Sequence, residues 1–193
     1  MGNKADKRKR IIEIATKLFV ERGFHGSPTS LIAKESGIAT GTLFNYFKTK
    51  DILINEIFKE IKKEQKKAIL NGVEKEIMLK GKLNKIWNNI IVWGIKNPEK
   101  RKFIEYFSNS SYISDETKIE IQNNYKFLLD IFREIIANKE ITNTNELMLL
   151  FNFIGSCLFT GRYFYITKED FDFDKSNEPF ERFCKSIDLT ERD

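Results

Sequence analysis

Histidine is all but missing from this chain: His25 is the only one among 193 residues. It sits in the Gly-bounded turn 23–26 with no second imidazole and no thiol nearby. That excludes a metal site built on it and leaves a surface loop residue. Cysteine is scarce as well. Cys157 and Cys184 lie far apart and match no zinc spacing, and the apolar neighbours of Cys157 mark it as a buried thiol. The three prolines, Pro28, Pro98 and Pro179, each fall where a helical pattern begins or stops. No Gly-rich phosphate loop, no G-x-S-x-G and no paired-carboxylate constellation occurs. Neither an enzyme nor a cofactor is therefore expected. Residues 7–10 are basic and run straight into an amphipathic pattern, so the apolar centre of a signal peptide is lacking. The expectation is a cytoplasmic protein with reduced thiols. There is no internal repeat, no long linker and no stretch that reads as a strand.

What is present is a succession of amphipathic helical patterns, and the expected class is all-α. After an arm of residues 1–6, a first helix is predicted over about 7–22, with Ile11, Ala15, Leu18 and Phe19 as its stripe. Residues 28–50 then hold two short helices joined at Gly37. The first spans about 28–36. Pro28 opens it, Ser27 is its expected cap, and Leu31, Ile32 and Ala33 supply its inner face. Gly37 makes the bend, where a left-handed backbone costs glycine nothing. The second helix, about 40–47, places Leu43 and Phe47 on one face and leaves Thr40, Thr42, Phe44, Asn45 and Tyr46 outward. Such a helix is poor core but well shaped to enter a groove. Helix, Gly turn and outermost second helix is the arrangement that carries a recognition helix into the major groove of DNA.

Further helices are predicted over about 51–70, 75–96, 99–108, 115–138, 146–166 and 179–187, with a polar loop at 108–114 and a break at 142–145. Residues 147–166 are apolar for long enough to span a membrane. Asn152 and Arg162 argue against that, since Arg at depth in lipid is costly. The favoured reading gives this helix one face for its own core and another for a second subunit. Residues 170–174 imitate the start of a calcium loop, with Glu181 at the twelfth place. Lys175 stands where glycine is needed for the turn, so a polar inter-helix loop is expected instead.

Charge is unevenly placed. Residues 1–55 hold ten of the 33 Lys and Arg but five of the 28 Asp and Glu, so the remainder of the chain is balanced and the excess of +5 surrounds the two short helices. Phosphate attraction needs positive charge in that place.

The motif Ile32-Ala33, Gly37-Ile38, Gly41-Thr42-Leu43-Phe44, Tyr46-Phe47-Lys48-Thr49-Lys50 and Leu53 resembles the tetracycline-repressor (TetR/AcrR) family of bacterial transcription regulators, and the likeness begins at Leu18-Phe19 and Gly23-Phe24. Ala39 stands where the family usually has a capping Ser, so Thr40 is the substitute cap. Phe44 stands where the family usually has Tyr, so a phosphate-reaching hydroxyl is absent. The resemblance implies an N-terminal three-helix helix-turn-helix DNA-binding domain, residues 1–50, and a C-terminal helical ligand-binding and dimerisation domain, residues 51–193. It also implies a homodimer through about 146–166 and 179–187, and a repressor that a small-molecule effector releases from a near-palindromic double-stranded operator. Asn45 is the candidate for reading adenine and Thr42 for touching a thymine methyl, while Gly41 lets the backbone approach. Thr40 and Phe44 complete that face. Thr29, Ser30, Tyr46 and Lys50 are candidates for phosphates. Trp87, Trp93, Phe103, Phe107, Tyr125, Phe132, Phe151 and Phe159 are candidates for an effector cavity. Their apolar setting favours an apolar or amphipathic ligand. The alternative is a DNA-bound adaptor whose C-terminal half binds a protein partner rather than a metabolite.

Overall fold

A computed structural model describes residues 4–139 and 144–190 of the chain. Among these residues there are ten α-helices, one 3-10 turn and no strand: α1 Lys4–Arg22, α2 Thr29–Glu35, α3 Thr40–Tyr46, α4 Lys50–Ile69, the 3-10 turn Val73–Lys75, α5 Leu79–Lys96, α6 Pro98–Phe107, α7 Asp115–Asn124, α8 Lys126–Lys139, α9 Glu146–Thr167 and α10 Phe173–Ser186. Of the expected arm, residues 1–3 lie outside the described part, and Lys4 already belongs to α1. Residues 142 and 143 of the expected break also lie outside it.

The helices pack as two compact units. One runs up to Lys63 and includes Asn97–Ile121; the other comprises Glu64–Lys96 and the chain from Gln122 onward. Packing therefore draws the division differently from a cut at residue 50. Most of α4, all of α6 and most of α7 belong with the helix-turn-helix.

In the first unit, Ile11, Ala15, Phe19, Ile32, Leu43, Leu53, Ile54, Ile57 and Phe103 are fully buried. Phe19 is the hub. Its ring centroid lies 6.3 Å from Phe103, 6.1 Å from Phe107 and 5.8 Å from Phe24. Burying one such ring is worth about 2–3 kcal/mol.

The second unit has an aromatic core. Trp87 and Phe132 each meet Phe153 edge-on at 5.6 Å, and Phe153 meets Phe183 at 5.4 Å. Cys157 and Cys184 are both buried in this core. Burial pushes the Cys157 thiol well above its ordinary range.

Two helices differ from expectation. The pattern 115–138 is interrupted at Tyr125, where the amide of Tyr125 bonds three residues back to Gln122 and that of Leu128 three back to Tyr125. The Tyr125 hydroxyl donates to Gln65 Oε1 at 3.1 Å. The last helix begins at Phe173 rather than at Pro179, which it carries inside. Asp172 caps it by accepting from the amides of Asp174 and Lys175, so the calcium-like acidic run is a helix start. Pro179 removes one helical hydrogen bond. Packing against α5 compensates: Ser176 is fully buried, accepts from Trp87 Nε1 at 2.9 Å through its carbonyl and donates to Asn88 Oδ1 at 3.0 Å. Asn84 Nδ2 donates to Asn177 Oδ1 at 3.0 Å beside them.

Candidate nucleic-acid interface

The bend between α2 and α3 is set by backbone chemistry. Gly37 has φ +69. The amide of Ile38 bonds to Ala33 O and that of Gly37 to Lys34 O, each at 3.0 Å, the paired closure that ends helices on a left-handed residue. The two expected caps are not made. Ser27 is buried and its hydroxyl donates to Leu18 O at 3.0 Å and Gly23 O at 2.8 Å, tying the preceding turn to α1 while Pro28 occupies the cap position of α2. Ala39 occupies that position in α3 with no side-chain bond, and Thr40 is the first helical residue rather than the cap. An unpredicted cap does form at α4, where Thr49 Oγ1 accepts from the Ile52 amide at 3.1 Å.

Leu43 and Phe47 anchor α3, at 0% and 1% exposure. Gly41, Phe44 and Asn45 are exposed, while Thr40, Thr42 and Tyr46 are half-buried. Ser30 is exposed and Thr29 half-buried at the start of α2. The face predicted for base contact therefore stands free at Gly41 and Asn45, and Thr42 and Tyr46 flank it.

The surrounding cations are not equivalent. Arg8 is bound within the unit: it pairs with Glu60, with Glu56 at 3.1 Å, and lies 5.3 Å over the Phe47 ring. Part of the basic run 7–10 is thus structural. Lys9 pairs with Glu13 of its own helix, at 3.8 Å, a pair of small worth when exposed. Lys7, Lys34 and Lys48 are exposed. Lys50 donates to Phe24 O at 2.6 Å and lies 4.1 Å from the Phe24 ring centroid. Desolvation lowers its pKa from the ordinary lysine value, against the opposing effect of Asp51.

The residues proposed for an effector cavity separate into different surroundings. Phe103 and Phe107 belong to the first unit, packed on Phe19, and Trp87 belongs to the second. Sequence spacing cannot reveal this, because α6 follows α5 directly yet packs on α1. Trp87, Trp93 and Phe132 are buried, and Tyr125 is half-buried. Burial pushes the Tyr125 phenol above its ordinary range. Phe151 and Phe159 lie at the surface, 65% and 73% exposed. They line a groove of about 810 Å³ together with Gly155 and Ser156 of α9 and Lys175, Glu178 and Pro179 of α10. By length and composition α9 could cross a membrane.

Comparison with known proteins adds a consistent set of likenesses. The family description "Bacterial regulatory proteins, tetR family" matches residues 11–57. The fatty acid metabolism regulator protein of Bacillus subtilis (strain 168) is 42% identical over 60 residues, which is 31% of this chain and 31% of that protein. Matches of this kind span about a third of the curated relatives' length. A TetR-family transcription regulator from Shewanella sp. PV-4 superposes with a TM-score of 0.84 at 30% identity, covering 93% of this chain and 97% of that one. The transcriptional regulator FadR from Bacillus subtilis, in complex with stearoyl-CoA, superposes with a TM-score of 0.73 at 22% identity over 95% of this chain and 99% of that one, a likeness of fold.

Proposed function

Because the chain belongs to the TetR family of bacterial regulatory proteins, we propose that it is a cytoplasmic repressor that binds a near-palindromic operator as a homodimer and leaves it when an amphipathic effector binds. The observation that carries the DNA reading is α3. Two buried anchors hold it while Gly41 and Asn45 face outward. Asn45 reads an adenine through its amide, and Gly41 and Thr40 bring the backbone close. Thr42 lies against a thymine methyl and Phe44 adds apolar contact. Thr29, Ser30, Tyr46 and Lys50 hold phosphates, which position the protein without reading sequence. The half-sites lie about one helical turn, or a multiple, apart.

The dimer reading rests on α9. Leu147, Met148, Phe151, Leu158, Phe159 and Ile166 leave a broad apolar face exposed on one subunit, the kind of face that marks an association surface. A second copy of α9 and α10 covers it. The effector acts in the helical part beyond α4, where it shifts an equilibrium between states of different operator affinity. Stearoyl-CoA in the FadR relative supports an amphipathic class of ligand.

The test is selection of bound duplexes from a random pool, followed by titration of stearoyl-CoA into the complex. A palindromic consensus with cooperative release by the acyl thioester supports the reading. No enrichment overturns it. Enrichment without release by this or shorter acyl thioesters removes the effector class alone.

A further inference from the structure

Lys50 is held by a closed ring of contacts that leaves the first turn of α4 and returns to it. Its ammonium donates to the Phe24 carbonyl at 2.6 Å and lies 4.1 Å from the Phe24 ring centroid. Phe24 in turn stacks on Tyr112, centroids 4.1 Å apart and planes 17° from parallel. His25 meets both rings edge-on, at 5.6 Å and 5.7 Å. Tyr112 stands in the loop between α6 and α7, and that loop is fastened by Asn55. The Asn55 amide donates to Tyr112 O at 2.9 Å and to Asp51 O at 2.8 Å, while its Oδ1 accepts from the Ser114 amide at 2.9 Å. Asp51 is the neighbour of Lys50, so the ring closes.

We propose that Tyr112 is a positioning residue for DNA binding: by backing Phe24 it fixes the Lys50 ammonium where it meets a phosphate. This rests on the reading of Lys50 as a phosphate contact. The chemistry favours it in three ways. A lysine has three N–H donors, and the Phe24 carbonyl takes one, leaving two. A free lysine side chain must be ordered when it binds, and an ammonium already seated on a ring has met that cost beforehand. Phe24 is half-buried in a turn bounded by glycines; Phe19 stacks on one side of it at 5.8 Å, and Tyr112 lies closer, at 4.1 Å. Tyr112 supplies the flat partner, and Asn55 fixes the height of the loop that carries it. The Tyr112 hydroxyl has no part in this, so phenylalanine should serve as well.

The experiment measures binding to a duplex selected from a random pool and to a duplex of unrelated sequence, over a range of salt. Tyr112→Ala should weaken both about three- to tenfold, as expected for the ordering of one long side chain, with the salt slope kept because the charge is still there. Tyr112→Phe should bind as the parent does. Lys50→Gln should weaken both duplexes and flatten the salt slope by about one. Adding Tyr112→Ala to Lys50→Gln should cost nothing more. If Lys50→Gln changes neither affinity nor slope, the phosphate contact itself is wrong. If Lys50→Gln acts as expected but Tyr112→Ala has no effect, or its loss adds in full to that of Lys50→Gln, the positioning role is overturned while the contact stands. Should Tyr112→Ala fail to fold, Tyr112→Leu keeps apolar bulk without a flat ring and carries the same expectations.

Discussion

α3 and α9 both show faces that their own unit leaves uncovered, and the chemistry of the two faces is opposite. α3 is seven residues long, with one fully buried side chain and an outer side of Gly41, Phe44 and Asn45. α9 is 22 residues long, and its exposed side carries Phe151, Leu158, Phe159 and Ile166. A short polar rod beside a surplus of lysine and arginine is stable in water until a polyanion arrives. A long apolar one is stable only when something apolar lies on it. Exposure alone therefore says little; what is exposed tells which kind of partner is absent.

The largest expected effect sharpens the apolar half of that contrast. Phe159→Glu should weaken self-association about 100-fold or more, since a charge would be buried against a second α9. Sedimentation would show monomers, with helicity unchanged because the ring is 73% exposed within the subunit. A dimer that survives would mean that another surface pairs the subunits.

Asn45→Ala addresses the polar half. Discrimination between the selected duplex and its single-base variants should fall about tenfold, with the melting temperature unmoved. A smaller effect concerns the bend that presents α3. Gly37→Ala should cost about 1 kcal/mol in urea denaturation. The cost is one of backbone alone, because a Cβ there meets nothing nearer than the Arg10 guanidinium at 3.5 Å. The smallest is Ser36→Ala. The Ser36 hydroxyl is buried with no hydrogen-bond partner among the described residues, so its removal should leave stability unchanged or raise it by up to about 1 kcal/mol. A clear loss would reveal a bound water or a partner for that hydroxyl.

Much of the DNA-facing part was legible because its signals are local. Gly37, Leu43 and Phe47 act through their own turn or helix, and the structure places them as their spacing predicts. The caps were less legible. Whether a serine caps its own helix or reaches back to another depends on where the previous helix ends, and Ser27 reaches back to Leu18. The packing of Phe103 and Phe107 is hard to read from sequence for a similar reason. Their helical stripe is plain, but nothing in it names α1 as the partner. The early start of α10 was hidden by Pro179, a local breaker overruled by the buried Ser176 and its bonds to α5. The ring through Tyr112, Phe24, Lys50 and Asn55 joins Lys50 to Phe24 across 26 residues and Asn55 to Tyr112 across 57, and it carries no sequence motif at all.

Because α3 is secured by Leu43 within it and Phe47 just after it, its outward positions carry almost no folding duty. Residues 40, 41, 44 and 45 can be randomised together, and most members of such a library should still fold. Retargeting this protein to a new stretch of duplex would then be a search among side chains rather than a redesign of the scaffold.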